Sequence, residues 1–188
     1  MTVQIYLAGP DVFLPDAIAI GRRKAEICAA YGLTGLYPLD NAVDLSVVDA
    51  SLAIFKGNEA MMEGADAIIA NLTPFRGAGA DPGTAYELGY MASRRKLCLG
   101  YSNDPAVYAE RVRRYTEVTA RDGHLVDADG LMVEDFGLRD NLMLVHALDC
   151  YGSVLVTPRE RPADLWHDFA AFETCVRLVA ERLSANGP

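Results

Sequence analysis

Residues 76–91 read RGAGADPGTAYELGYM, four glycines and a proline around two acids, Asp81 and Glu87, that stand on either side of Thr84. Two chemistries compete for such a stretch. Glycine-rich loops that open a helix bind phosphate through backbone N–H groups. A carboxylate held at the edge of a helix can instead act as a nucleophile on a sugar. The phosphate reading fits poorly. No GxxxxGK[ST] occurs, and after Gly77 and Gly79 the third glycine, Gly83, comes one place late and behind Pro82. No acidic residue follows at the spacing of a dinucleotide site. Asp81 and Pro82 are what a helix prefers at its N-cap and first turn, and a carboxylate there repels phosphate. The carboxylate reading puts Asp81 at the helix entrance and Glu87 further in. It flanks an expected apolar stripe of Ala85, Leu88, Gly89 and Ala92, with Gly83 leaving room beside it. From residue types alone, a surface salt bridge for Glu87 and a plain N-cap for Asp81 stay open beside the catalytic roles.

The surrounding pattern alternates strands and helices. Apolar, β-rich runs predict strands at 3–8, 33–38, 66–72, 96–101 and 152–157. Helical periodicity covers 16–31, 47–64, 82–94, 137–148 and 163–184, and the polar section 102–137 carries weak helix near 105–115. This predicts a single α/β domain over residues 1–188: a flavodoxin-like doubly wound sheet of five parallel strands, order 2-1-3-4-5, with helices on both faces. Such a sheet binds ligands beyond the carboxyl ends of strands 1 and 3, where the chain reverses direction. The loops there are AGPDVF (8–13) and NLTPFRGAGADPG (71–83), so the acidic stretch falls where the fold places a site.

The chain has 188 residues and a net charge of −9. That charge disfavours nucleic acid and anionic membrane as partners. No uninterrupted apolar run reaches membrane-spanning length, and Asp11 and Asp16 break up the N-terminal run, so neither a span nor a signal peptide is expected. Cys28, Cys98, Cys150 and Cys175 form no CxxC pair and are expected to be buried free thiols in a reducing, cytoplasmic setting. His124, His146 and His167 lack ligand spacing. No metal and no cofactor are expected.

Four stretches carry a resemblance: IYLAGPDVF (5–13), YPLDN (37–41), GADAIIANLTPFRGAGADPGTAYELGY (64–90) and VEDFGLRDNLML (133–144). In order and spacing they resemble the nucleoside 2-deoxyribosyltransferases, the trypanosomatid-like branch more than the lactobacillal one. The resemblance implies an enzyme that moves 2-deoxyribose between nucleobases, its substrates 2'-deoxynucleosides and free bases. It makes Glu87 the nucleophile that forms a covalent sugar ester with net retention. Asp81 would bond a sugar hydroxyl, Tyr6 would bond and orient the Glu87 carboxylate, and Gly9 would let the backbone approach the sugar. Asn141 would bond the 5'-hydroxyl in a neighbouring subunit's site and Met143 would wall the pocket, which implies a homo-oligomer. For Tyr6 and Met143 ordinary packing is the competing reading.

Two places depart from the family. Asn71 stands where trypanosomatid relatives carry aspartate, at a position that would face the base, and an amide cannot serve as a general acid. Ala42 stands where the lactobacillal pattern has a base-contacting glutamine. Asn58 falls on a base-side position, and Phe13 and Phe75 are candidates to pack on the base, with core packing as the rival. A related group hydrolyses deoxynucleoside 5'-monophosphates, but it carries a serine- and glycine-rich loop after the first strand. The acidic AGPDVFLPD here suits a free 5'-hydroxyl better. A non-catalytic nucleoside-binding module is the remaining alternative.

Overall fold

The structure, a computed structural model, describes residues 2–40 and 49–184. Ala42 and Asn41, singled out above, lie outside the described residues. Four strands, β1 (Gln4–Ala8), β2 (Thr34–Leu36), β3 (Ala67–Asn71) and β4 (Leu97–Tyr101), form a parallel sheet in the order β2-β1-β3-β4. Register is set pair by pair, with Tyr6 opposite Leu36 on one side and Ile68 on the other.

Alternation along the central strands assigns each side chain to a layer. Ile5, Leu7, Ile69 and Leu99 face helices α1 (Ala17–Ala30) and α6 (Ala170–Ser184), packing on Cys28, Phe172 and Val176. Tyr6, Ile68, Ala70 and Cys98 face α2 (Ala50–Gly64), α3 (Pro82–Ser93) and α5 (Leu142–Tyr151), packing on Met62, Leu88, Met91 and Leu148. Strand β3 is buried at every residue, so cutting Ile68 back to alanine should cost about 3 kcal/mol in lost transfer and cavity. Gly100 is where α5 comes closest: a Cβ there would sit 2.8 Å from Leu148 and 3.2 Å from the Ala70 carbonyl.

Three expectations change. The sheet has four regular strands rather than five. Segment 152–157 touches β4 at two separate parallel bridges, Gly152 with Cys98 and Val156 with Tyr101. Its Gly152 N–H still caps α5 by donating to the Leu148 carbonyl, which interrupts the ladder at its start. The polar section 102–137 holds the short helix α4 (Tyr108–Val112) and also an antiparallel sheet of β5 (Val118–Arg121), β6 (His124–Asp127) and β7 (Met132–Val133). Asp122 and Gly123, with φ of 51° and 81°, make the tight turn between β5 and β6. Helices α5 and α6 begin later than their periodicity suggested, because Asn141 caps the first and the turn built on Asp164 and Asp168 precedes the second. Cys28, Cys98 and Cys175 are buried free thiols, whereas Cys150 is exposed.

Candidate active site

Beyond the carboxyl ends of β1 and β3 lies a cleft of about 320 Å³. Gly9 and Phe13 reach it from the end of β1, Leu39 from the turn after β2, Ile54 and Asn58 from α2, and Asp81, Gly83, Thr84 and Glu87 from the start of α3. A second cavity of about 280 Å³ adjoins it, sharing Asn58, Gly83 and Glu87 and walled by Phe55 and Tyr86.

Helix α3 starts where the turn chemistry demands. The Asp81 carboxylate accepts from the Thr84 backbone N–H at 2.9 Å and from its hydroxyl at 3.2 Å, and Pro82 supplies a preset first helical residue. The buried stripe is Thr84, Leu88, Met91 and Ala92. The stripe expected from sequence is therefore corrected: Ala85 is half-buried and Gly89 exposed. The rotation matters, because Glu87 lies three residues past Thr84 and four before Met91. It lies half-buried toward the sheet-facing side and lines the cleft.

Tyr6, fully buried on the same face of β1, donates its hydroxyl to Glu87 Oε1 at 2.6 Å. Burial pushes the Glu87 carboxyl up to about 7, opposed by the Tyr6 hydrogen bond and reinforced by the nearby Asp81 charge. Burial, with the Glu87 charge added, drives the Tyr6 phenol well above its ordinary range and keeps it a donor. Glu87 makes no ion pair among the described residues. A carboxylate near neutrality, held by one phenol and open to a cleft, suits attack on an electrophilic carbon.

Gly9 is needed for packing rather than for its dihedrals, which are extended. A Cβ there would lie 2.5 Å from Asp11 Oδ2 and 2.8 Å from the Asn71 Cβ. Phe13 is 57% exposed at the cleft wall and stacks on Phe75, ring centroids 5.3 Å apart at 14°. Trp166 meets Phe75 edge-on at 6.3 Å. The Arg76 guanidinium covers both phenylalanine rings, at 5.3 and 4.6 Å from their centroids. Asn58 lines both cavities, and its Oδ1 is buried with no hydrogen-bond partner among the described residues.

Three expected site residues lie elsewhere. Asn71 is buried behind the cleft: its Nδ2 donates to Asp11 Oδ1 at 3.0 Å and its Oδ1 accepts from the Thr73 N–H. It is absent from the cleft lining, so the idea that it faces a base is set aside on geometry. Asn141 caps α5, accepting from the Met143 N–H and donating to Glu134 at 2.6 Å. Neither it nor Met143, which is 71% exposed, lines this cleft. Sequence reasoning overlooked Thr84, which anchors Asp81, and Arg76, which covers the aromatic pair. A threonine three places after an N-cap acid is a signal for the first. Nothing local marks the second, whose partner rings lie on two separate loops.

Comparison with known proteins identifies the family. The family described as nucleoside 2-deoxyribosyltransferase matches residues 5–143. An uncharacterized protein of Schizosaccharomyces pombe is 33% identical over 201 residues, spanning 97% of this chain and 90% of its own. A solved 2-desoxiribosyltransferase from Leishmania mexicana is 33% identical, covers 93% of this chain and 97% of its own, and superposes with a TM-score of 0.63. A conserved protein from Enterococcus faecalis, 18% identical with a TM-score of 0.60 over 97% of this chain and 99% of its own, shares the fold. Among the described residues no helix is long and apolar enough to cross a membrane. By the family match and by its relatives, this chain belongs to the nucleoside 2-deoxyribosyltransferase family of enzymes.

Proposed function

We propose that the protein exchanges the base of a 2'-deoxynucleoside through a covalent intermediate on Glu87. The observation that carries this reading is the Tyr6 hydroxyl 2.6 Å from a Glu87 carboxyl that has no cationic partner among the described residues and opens to the cleft. An ionised Glu87 oxygen attacks C1'. The glycosidic C–N bond breaks, its electron pair leaves with the base nitrogen, and that nitrogen takes up a proton. A second base then attacks C1' with a ring nitrogen, releases its proton, and displaces the Glu87 oxygen. Two displacements on one carbon give retention. Tyr6 orients the carboxylate and favours its ionised form, and Asp81, fixed by Thr84, accepts from a sugar hydroxyl.

Phe13, backed by Phe75, offers a flat apolar wall to the base. Asn58 Oδ1, an unpaired buried acceptor, suits an N–H on the base edge, since leaving it unmet costs about 1–3 kcal/mol. Asn141 and Met143 then act from a partner copy in a homo-oligomer, a reading supported by their distance from their own cleft lining and by the exposure of Met143. The buried free thiols of Cys28, Cys98 and Cys175 support a cytoplasmic setting. Incubation with 2'-deoxyinosine and adenine, followed by chromatography, tests the proposal. The expected product is 2'-deoxyadenosine. Hypoxanthine and free deoxyribose without a new nucleoside would make the protein a hydrolase, and no turnover would reduce it to a binding module.

A further inference from the structure

A separate concave region lies past the carboxyl end of β4, away from the cleft. It has a volume of about 460 Å³ and is lined by Arg114, Arg139, Arg159 and Arg161 with Thr157 and Asp104. Four arginines face the single Asp104 carboxylate, so the pocket is cationic in a chain whose net charge is −9. Such a concentration of arginine runs against the field of the rest of the molecule.

Three of the four arginines, Arg114, Arg139 and Arg161, are held rather than free to swing. Asp104 is buried beneath them, and burial is outweighed by Arg114, the Ala106 N–H and Arg161, so its carboxyl stays below the ordinary range and remains charged. Arg114 pairs with it through both terminal nitrogens, and Arg161 approaches at 3.7 Å through Nε. Arg139 is anchored by its Nε on the Pro105 carbonyl at 3.0 Å. Arg159 makes no ion pair among the described residues. Each anchored guanidinium has five N–H donors, more than its protein partners use. The side chains of Arg114 and Arg161 stay about half exposed, at 45% and 56%, so these spare donors reach solvent in the pocket.

We propose that this arginine pocket binds a small phosphorylated anion, an inorganic phosphate or pyrophosphate or the phosphate end of a nucleotide. Planar guanidinium groups set at fixed angles match the tetrahedral oxygens of a phosphoryl group, and the Thr157 hydroxyl adds a further donor. A neutral nucleoside has no group that requires such a charge, so the site is separate in chemistry as well as in position from the cleft that holds Glu87. It is also connected to that cleft. The Arg139 carbonyl accepts from Arg111, Arg111 pairs with the buried Asp140 at 3.0 Å, and Asp140 Oδ1 lies 3.6 Å from where a Cβ on Gly79 would stand, in the loop that leads to Asp81.

The test is titration of the full chain with pyrophosphate, phosphate and a deoxynucleoside 5'-monophosphate by isothermal calorimetry at low ionic strength. Saturable binding that weakens as salt is added is expected. Arg159→Ala disturbs no ion pair and should weaken binding by about tenfold, and Arg159→Glu by more. Glu87→Ala should leave it unchanged, so failure here and failure of the proposed transfer reaction are separable. Tightest binding by the monophosphate, lost in the Arg159 variants, would assign the nucleotide as source, whereas equal binding by pyrophosphate would assign the bare phosphoryl group. Absence of saturable binding by all three anions, or identical affinity in Arg159→Glu, would overturn the proposal.

Discussion

Asp11 and Glu87 are two acids taken out of water near the same end of the sheet, and their surroundings are opposite. Asp11 is 1% exposed and fully matched: Lys24 lies 2.5 Å from one oxygen and the Asn71 amide 3.0 Å from the other. Lys24 is itself buried and sits over the Tyr101 and Phe172 rings, within 5.6 and 5.3 Å of their centroids. Glu87 has a phenol, a neighbouring carboxylate and a cleft. The first arrangement neutralises a charge and ties β1, β3 and α1 together. The second leaves a charge incompletely compensated where a substrate carbon can reach it. Burial alone does not mark a catalytic acid, but burial without a cation beside open space does.

Substitutions at the two acids should therefore separate activity from stability. Glu87→Ala should lower the base-exchange rate by roughly four orders of magnitude while the melting temperature stays near that of the parent, as read by chromatographic assay and calorimetry. Asp11→Ala should do the reverse, costing about 3–5 kcal/mol in denaturant unfolding because it strands the Lys24 ammonium in the interior. Similar stability losses at the two sites would erase the distinction.

Tyr6→Phe sharpens it further. The hydroxyl lowers the Glu87 value, so its loss should raise it, and the acid limb of kcat/KM should move from about 7 to higher pH. Glu87→Gln probes the same burial through stability. The Glu87 carboxyl is raised in the fold from 4.5 to about 7, so the folded state binds the extra proton. That contribution is fully present below the ordinary value and is lost as pH rises through about 7. Glu87→Gln should thus gain about 2–3 kcal/mol on the parent between about pH 5 and about pH 8.5. The smallest effect expected is at the cleft wall, where Phe13→Ala should raise KM about five-fold with a smaller change in kcat.

Much of this frame was legible in the residues. Strands β1, β3 and β4 are unbroken apolar runs, and the Asp81-Pro82 start of α3 is local chemistry that tertiary packing did not override. The observed order β2-β1-β3-β4 matches the first four places of the order expected. The antiparallel sheet of β5–β7 was missed because its strands are short and largely exposed, so no apolar alternation shows. The Asp122-Gly123 turn was nonetheless a hairpin signal in plain view. The Asp11–Lys24–Asn71 cluster was missed because a lysine within a helix reads as surface. Lys24 falls four residues after Ile20 and four before Cys28, on the buried stripe of α1, and that spacing held the clue. The expectation that Asn71 faces the base came instead from family resemblance, which does not report its bonds to Asp11 and Thr73. The pairing of Tyr6 with Glu87 came from family resemblance, since no spacing links a strand residue to a helix residue 81 positions away.

The most direct measurement is mass spectrometry of the protein mixed with a 2'-deoxynucleoside and quenched in acid, then digested. A deoxyribosyl adduct is expected, confined to the peptide that holds Glu87, absent in Glu87→Gln and discharged when free base is added before the quench. Base exchange that proceeds at full rate in Glu87→Gln, or an adduct mapped to another residue, would contradict it.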